Sequence, residues 1–240
     1  MFARDPRRPK FRDRELEEYN SLTSNPYLRM HREFGPPVLT ATDAQNAAID
    51  WAAAFGRDAP IHLEIGTGNG FFLAGMATKH PEWNWLGLEI RFKRVILTAR
   101  KLQSANATEF ARVARYDTFY LDDLFGPASL AGVYVNHPDP WPREKHAKNR
   151  LLVRPFAEWM ATMLVPGGRL RIKTDHRPNV DRLADALEGL PLSVIGRSNH
   201  IAQDGTPWPI DDDVTTNYQS KFDKKDEPVY ALWVERGATP

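Results

Sequence analysis

An α/β fold with a mostly parallel sheet and helices on both faces is what the 240-residue sequence predicts, and three observations carry the prediction. Short apolar runs alternate with amphipathic stretches, as strands and crossover helices do. The first run ends in a glycine cluster that opens directly into a helical pattern. The balance of 32 Lys and Arg against 31 Asp and Glu, with 42% hydrophobic residues, belongs to a folded chain large enough to bury a core without staples. The absence of Cys removes a disulfide framework, a thiolate zinc site, an iron–sulfur cluster and a cysteine nucleophile together.

Taken in order, residues 1–40 hold scattered charges, Pro6, Pro9, Pro26, Pro36 and Pro37 and no sustained period, which predicts an arm with at most one short helix ahead of a single domain over 41–240. Arg4, Asp5, Arg7, Arg8 and Lys10 precede no apolar stretch, so neither a signal peptide nor a membrane anchor is expected, and a cytoplasmic protein is. Thr42 and Gln45 have the spacing of a capping box for an Ala-rich helix that stops at Gly56. Residues 61–65 read as a strand and 71–78 as the helix behind it. The unit repeats with a strand at 85–90 and a helix whose inward stripe is Phe92, Val95, Ile96, Ala99 and Leu102. Strands at 110–114, 133–136, 169–173, 192–195 and 229–234 bring the sheet to seven, the fifth being preceded by the turn Pro166, Gly167, Gly168. The Asp- and Pro-rich stretch between the last two reads as a long functional loop.

The turn Glu64-Ile65-Gly66-Thr67-Gly68-Asn69-Gly70 places Gly66, Gly68 and Gly70 between a strand and a helix. Glycine there lets the backbone turn tightly and approach a ligand, and the helix N-terminus supplies unpaired N–H groups. Glu89, at the end of the next strand, is suited to accept from ribose hydroxyls. Phe71 stands where a dinucleotide fingerprint has its third glycine, which ranks a nicotinamide-dependent oxidoreductase second. A sulfonium ligand such as S-adenosylmethionine has no phosphate to cradle, and its positive charge is favoured by Glu64. Asp117, after the third strand, could hold the adenine end of a nucleoside.

Asn136-His137-Pro138-Asp139-Pro140-Trp141-Pro142 follows the fourth strand, where open α/β sheets carry their reacting groups. Prolines on either side aim the Asp139 carboxylate, and Trp141 offers a face for stacking a base. Arg143, Lys145, His146, Lys148, Arg150 and Arg154 come next, and Arg91, Lys93, Arg94, Arg100 and Lys101 mark a second basic stretch. Together they predict a footprint for a phosphate backbone, with Lys145, Lys148 and Arg150 as phosphate contacts. Beside the oxidoreductase, three rivals remain at this point: a nucleic-acid methyltransferase acting on an exocyclic amine, a non-catalytic RNA-binding protein, and a metal-dependent phosphoesterase using His137, Asp139 and Asp175. For the last, the seven His show no zinc-ligand spacing, and no metal is expected.

These segments resemble the bacterial tRNA (guanine-N7)-methyltransferase family. The matching pieces are 64–70, Gly87-Leu88-Glu89, Pro138 to Trp141 with His146, Lys148 and Arg150, Thr174-Asp175, and Thr216-Asn217-Tyr218-Gln219 before Lys221-Phe222. The resemblance implies a class I methyltransferase (Rossmann-like) fold that moves a methyl group from S-adenosyl-L-methionine to N7 of guanosine 46 in the tRNA variable loop. It implies Glu64, Glu89, Asp117 and Asp139 at the cofactor, with Asp139 also the catalytic residue, and Arg143, Asp175, Thr216, Asn217, Tyr218 and Gln219 at the substrate guanosine. The partner is then tRNA, with no obligate protein partner and a monomer or homodimer expected. Gln219 stands where the family usually has Glu, and Asn149 where a basic residue is common.

Overall fold

The computed structural model describes residues 25–48 and 50–238, so the basic cluster at the N-terminus lies outside the described residues. The chain divides into two compact units, one through Phe125 and one from Gly126.

The first unit begins with helix α1, Pro26–Glu33, which starts where it does because the Asn25 side chain accepts from the Tyr27 N–H and Pro26 occupies the first turn. It buries Leu28 and His31. Strand β1, Val38–Leu39, follows, then α2, Ala41–Ala47, and α3, Trp51–Phe55. The predicted single helix is therefore two, the second restarted by Asp50, whose carboxylate accepts from the Ala53 N–H. It ends, as the sequence predicts, at Gly56 in left-handed backbone. The capping box also lies two residues earlier than predicted. Thr40 Oγ1 accepts from Asp43 N–H at 3.1 Å and Asp43 returns the bond to Thr40 N–H at 2.9 Å. An aspartate serves there in place of Glu or Gln.

Strand β2 (Ile61–Ile65), helix α4 (Phe71–Lys79), β3 (Asn84–Glu89), α5 (Phe92–Ser104) and β4 (Ala111–Arg115) follow, each within about two residues of prediction. The strands are parallel in the order β1-β4-β3-β2. All five residues of the predicted α5 stripe are buried, and Val95 and Ala99 join Val38 and Val113 in one cluster with Phe34 against it. Residues 25–40 are thus built into this unit, and β1 is the strand that takes the described total to eight instead of seven.

The second unit holds β5 (Leu130–Asn136), α6 (Arg154–Met163), β6 (Leu164–Thr174), α7 (Arg177–Ala186), β7 (Leu192–Ser198) and β8 (Tyr230–Arg236). Its strand order is β5-β6-β8-β7, with β5 and β6 parallel and β8 antiparallel to both neighbours. Strand β6 reaches back through the predicted Pro-Gly-Gly turn to Leu164, where a register irregularity between Leu130 and Gly132 absorbs the bend. Edge strand β7 carries a bulge between Val194 and Gly196 and exposes Val194 and Ile195. Between β7 and β8 run α8 (Ile201–Asp204), a single 3-10 turn over Ile210–Asp212 and α9 (Gln219–Asp223). Among the described residues no helix is long and apolar enough to cross a membrane.

Candidate functional site

In the first unit the glycine turn and Glu89 form one hydrogen-bonded construction. Gly66, Gly68 and Gly70 all have positive φ, at 79°, 55° and 76°. The Gly66 and Thr67 N–H groups both donate to Leu88 O, at 2.8 and 3.2 Å, which ties the turn to the end of β3. Glu89 then reaches across: its carboxylate accepts from Gly68 N–H at 3.0 Å, Ile90 N–H at 2.8 Å and Arg91 N–H at 3.0 Å. Two close approaches demand small residues. A Cβ on Gly70 would sit 2.7 Å from the Thr98 backbone, and one on Gly87 2.4 Å from Thr67 Cγ2. Above Gly66 and Gly68, by contrast, nothing lies within 4 Å of where a Cβ would be, leaving open space over the turn.

The donor set decides what this turn suits. A pyrophosphate needs free N–H groups, but here the N–H groups of Gly68, and of Ile90 and Arg91 just ahead of α5, already face a carboxylate, whose charge would repel it. A neutral or cationic nucleoside is favoured instead. Glu64 is buried at the C-terminal end of β2, paired in register with Gly87. Asp117 caps the 3-10 helix Thr118–Asp123 by accepting from Phe119 N–H, and Tyr116 N–H donates to Glu89 O at 3.1 Å. The structure therefore gathers Glu64, Gly66, Gly68, Gly70, Glu89 and Asp117 at neighbouring strand ends of one unit.

In the second unit the Pro138–Pro142 loop leaves β5 between two non-glycine residues in left-handed backbone, His137 at φ 50° and Trp141 at φ 40°. His137 is anchored three ways. Its N–H donates to Lys173 O at 2.7 Å, its Nδ1 lies 3.4 Å from Asp175 Oδ1, and its ring meets Tyr218 at 4.8 Å and stacks on Phe222 at 6.0 Å. The His137 contact is the main reason the Asp175 carboxyl lies below its ordinary range. Burial, then the charges of Asp175 and Asp139, hold the Tyr218 hydroxyl above its own. Asp139 itself is exposed. Asp139, Asp175, Tyr218 and His137 thus share one neighbourhood, in which His137 is held in its strained backbone by the contacts it makes.

Arg150, expected at a phosphate, is engaged with the loop itself. Its Nε donates to Trp141 O at 3.0 Å, one Nη donates to Pro142 O at 3.2 Å, and it pairs with Glu144 at 2.7 Å, so its guanidinium holds the loop's far end. Arg143, Lys145 and Lys148 remain exposed. Arg154 donates to Ala186 O and Glu188 O at the end of α7. In the first unit, Arg94 donates to Asn69 of the glycine turn and Lys101 lies 3.7 Å over the Phe71 ring.

Thr216 Oγ1 accepts from the N–H of Gln219, the first residue of α9, at 2.9 Å, while Asn217 and Tyr218 are exposed. Gln219, expected at the substrate, is buried, and its Oε1 accepts from Lys173 Nζ at 3.1 Å. Lys173 also binds Asp213, and Arg171, two residues earlier on the same face of β6, donates to Asp212 O at 2.8 Å. Neither basic residue was singled out from the sequence. The available signal was Arg-Leu-Arg-Ile-Lys, alternating charge inside a strand that reads as central. Among the described residues no three His, Asp or Glu side chains are placed to hold a metal ion.

The comparisons with known proteins converge. The family described as "Putative methyltransferase" matches residues 58–232. A tRNA (guanine-N(7)-)-methyltransferase of Bacillus subtilis (strain 168) is 33% identical over 187 residues, covering 77% of this chain and 84% of that protein. One of the same name from Streptococcus equi subsp. zooepidemicus (strain MGCS10565) is 33% identical over 198 residues, 82% of this chain and 90% of its own. Among solved structures, the antibiotic-resistance methyltransferase Kmr superposes with a TM-score of 0.57 at 16% identity, covering 80% of this chain and 94% of its own, which shows the shared fold alone. With a class I methyltransferase architecture, and relatives matching across both units at this identity, the chain belongs to the tRNA (guanine-N(7)-)-methyltransferase family.

Proposed function

We propose that this chain transfers a methyl group from S-adenosyl-L-methionine to N7 of guanosine 46 in the variable loop of tRNA, in the cytoplasm. The observation that carries the reading is the Asp139 loop: an exposed carboxylate fixed between two prolines and two strained residues, with Asp175 and Tyr218 beside it. When bound, S-adenosyl-L-methionine supplies an electrophilic methyl carbon on a sulfonium centre. The first unit's residues suit it. Glu89, already oriented by three N–H groups, keeps acceptor capacity for ribose hydroxyls, the open space above Gly66 and Gly68 admits the ligand, and Glu64 and Asp117 add acceptors and negative charge.

Guanine N7 has a lone pair and no proton, so the acceptor needs no general base and the protein's task is placement. Asp139 and Asp175 offset the positive charge that develops on the purine, and Tyr218 and Trp141 offer faces for stacking it. Arg143, Asn217 and Thr216 complete the guanosine contacts, and Lys145 and Lys148 meet phosphates. The test is to incubate the protein with S-adenosyl-L-methionine and unmodified tRNA, then map N7-methylguanosine by reduction and aniline cleavage. A single cut in the variable loop is expected; methylation at another atom or none overturns the reading.

A further inference from the structure

Lys173 lies in β6 two residues before Asp175 and is 1% exposed. Its ammonium donates to Asp213 Oδ1 at 2.9 Å and Oδ2 at 3.3 Å, to Val214 O at 2.9 Å and to Gln219 Oε1 at 3.1 Å. One cation therefore binds both ends of residues 213–219, the segment that presents Asn217 and Tyr218 outward and lays Tyr218 on His137.

We propose that Lys173 is the positioning residue of the substrate segment, tethering 213–219 to β6 so that Tyr218 is held over His137 and beside the Asp139 loop. What the segment contacts rests on the proposed function; the tether itself does not. An ammonium has only donors, so it fixes the Gln219 amide with the oxygen inward. It also explains the amide. Asp213 already balances Lys173, and a second carboxylate at 219 would crowd extra negative charge into a buried site, whereas Gln219 accepts the bond at no net charge. The role is distinct from catalysis, since Lys173 is enclosed and reaches the substrate only through the segment it holds.

The experiment compares wild type with Lys173→Met and with Lys173→Met/Asp213→Asn. The single variant leaves Asp213 charged and buried, and it is expected to be the less stable of the two. The double variant removes both charges and is expected to keep the fold while the bonds to Val214 and Gln219 stay cut. Three quantities are read: amide hydrogen exchange across 213–219, affinity for S-adenosyl-L-methionine, and kcat and KM with tRNA. For the double variant, exchange in 213–219 and KM for tRNA are each expected to rise about tenfold, the loss of roughly one charge-assisted hydrogen bond, with cofactor affinity unchanged. Wild-type exchange in the segment overturns the tether. Faster exchange with unchanged KM overturns its positioning role. A wild-type protein that transfers no methyl group overturns the function instead, and the tether then stands or falls on the exchange measurement alone.

Discussion

His137 and Trp141 hold backbone conformations that cost roughly 1–2 kcal/mol each in a side-chain-bearing residue, and the surrounding contacts are what sustain them. His137 is locked by Lys173 O, Asp175 and two aromatic rings, Trp141 by Arg150 on its carbonyl. Such a loop is stiff before substrate arrives, so removing the exposed Asp139 carboxylate should leave the backbone where it is. Asp139→Ala is expected to melt with the wild type and to lose turnover by about a hundredfold, the scale of one lost electrostatic group in a preorganised site. Wild-type turnover by that variant would remove Asp139 from the mechanism. His31 gives a second residue-scale outcome. It is buried, and its pKa is pushed down to about 4, first by burial and then by the charge of Arg115. The unfolded chain binds a proton near pH 6.5 that the folded chain refuses, so the stability present above that pH is lost as pH falls towards 4. The loss reaches up to about 3 kcal/mol. Asp175 acts in a lower window, its stabilisation being present above the ordinary carboxylate value of 3.8 and lost below it. Denaturant unfolding at a series of pH values should show the upper slope in wild type and a flattened one in His31→Phe.

At the scale of elements, periodicity located strands and helices well because each has one face in a core, as the α5 stripe shows. Caps were less legible. Thr40 with Asp43 starts α2, although Thr42 with Gln45 fits the usual sequence pattern better, because the cap is chosen by where β1 releases the chain and not by spacing alone. Thr40→Ala is expected to cost about 1 kcal/mol in denaturant unfolding, and Thr42→Ala only a few tenths. The glycine turn makes a sharper forecast. Gly70→Ala combines a positive φ with a Cβ 2.7 Å from the Thr98 backbone, so α4 and α5 must part. A loss of several kcal/mol is expected, on the order of overpacking plus backbone strain, whereas Gly126→Ala meets no atom within 4 Å and should be near neutral.

For the whole molecule, a net charge of +1 conceals where the cations are engaged. Arg150, Arg154, Arg171 and Lys173 bind carbonyls and carboxylates of the fold, while Arg143, Lys145 and Lys148 stay exposed. The log of tRNA affinity should fall linearly with log salt, and Lys145→Glu/Lys148→Glu should weaken binding and flatten that slope by about 1–2. Arg150→Ala should instead lower turnover with the slope little changed; an equal slope change in both variants would return Arg150 to the phosphate surface. The sequence carried the alternation of elements, the glycine turn and the Asp139 loop, since these are local. It did not carry the Lys173–Asp213–Gln219 set, whose members stand 40 and 46 residues apart and meet only after β6 and the 213–219 segment are in place.

The bulge in β7 bears on handling as well as on form. An outermost strand showing Val194 and Ile195 is a template on which another chain can add a strand, and the extra residue beside Gly196 twists the ribbon out of register with any such guest. A deletion of Ile195 that straightened the edge would be noticed first as concentration-dependent turbidity and fibre growth on storage, with the catalytic properties of the protein left in solution intact.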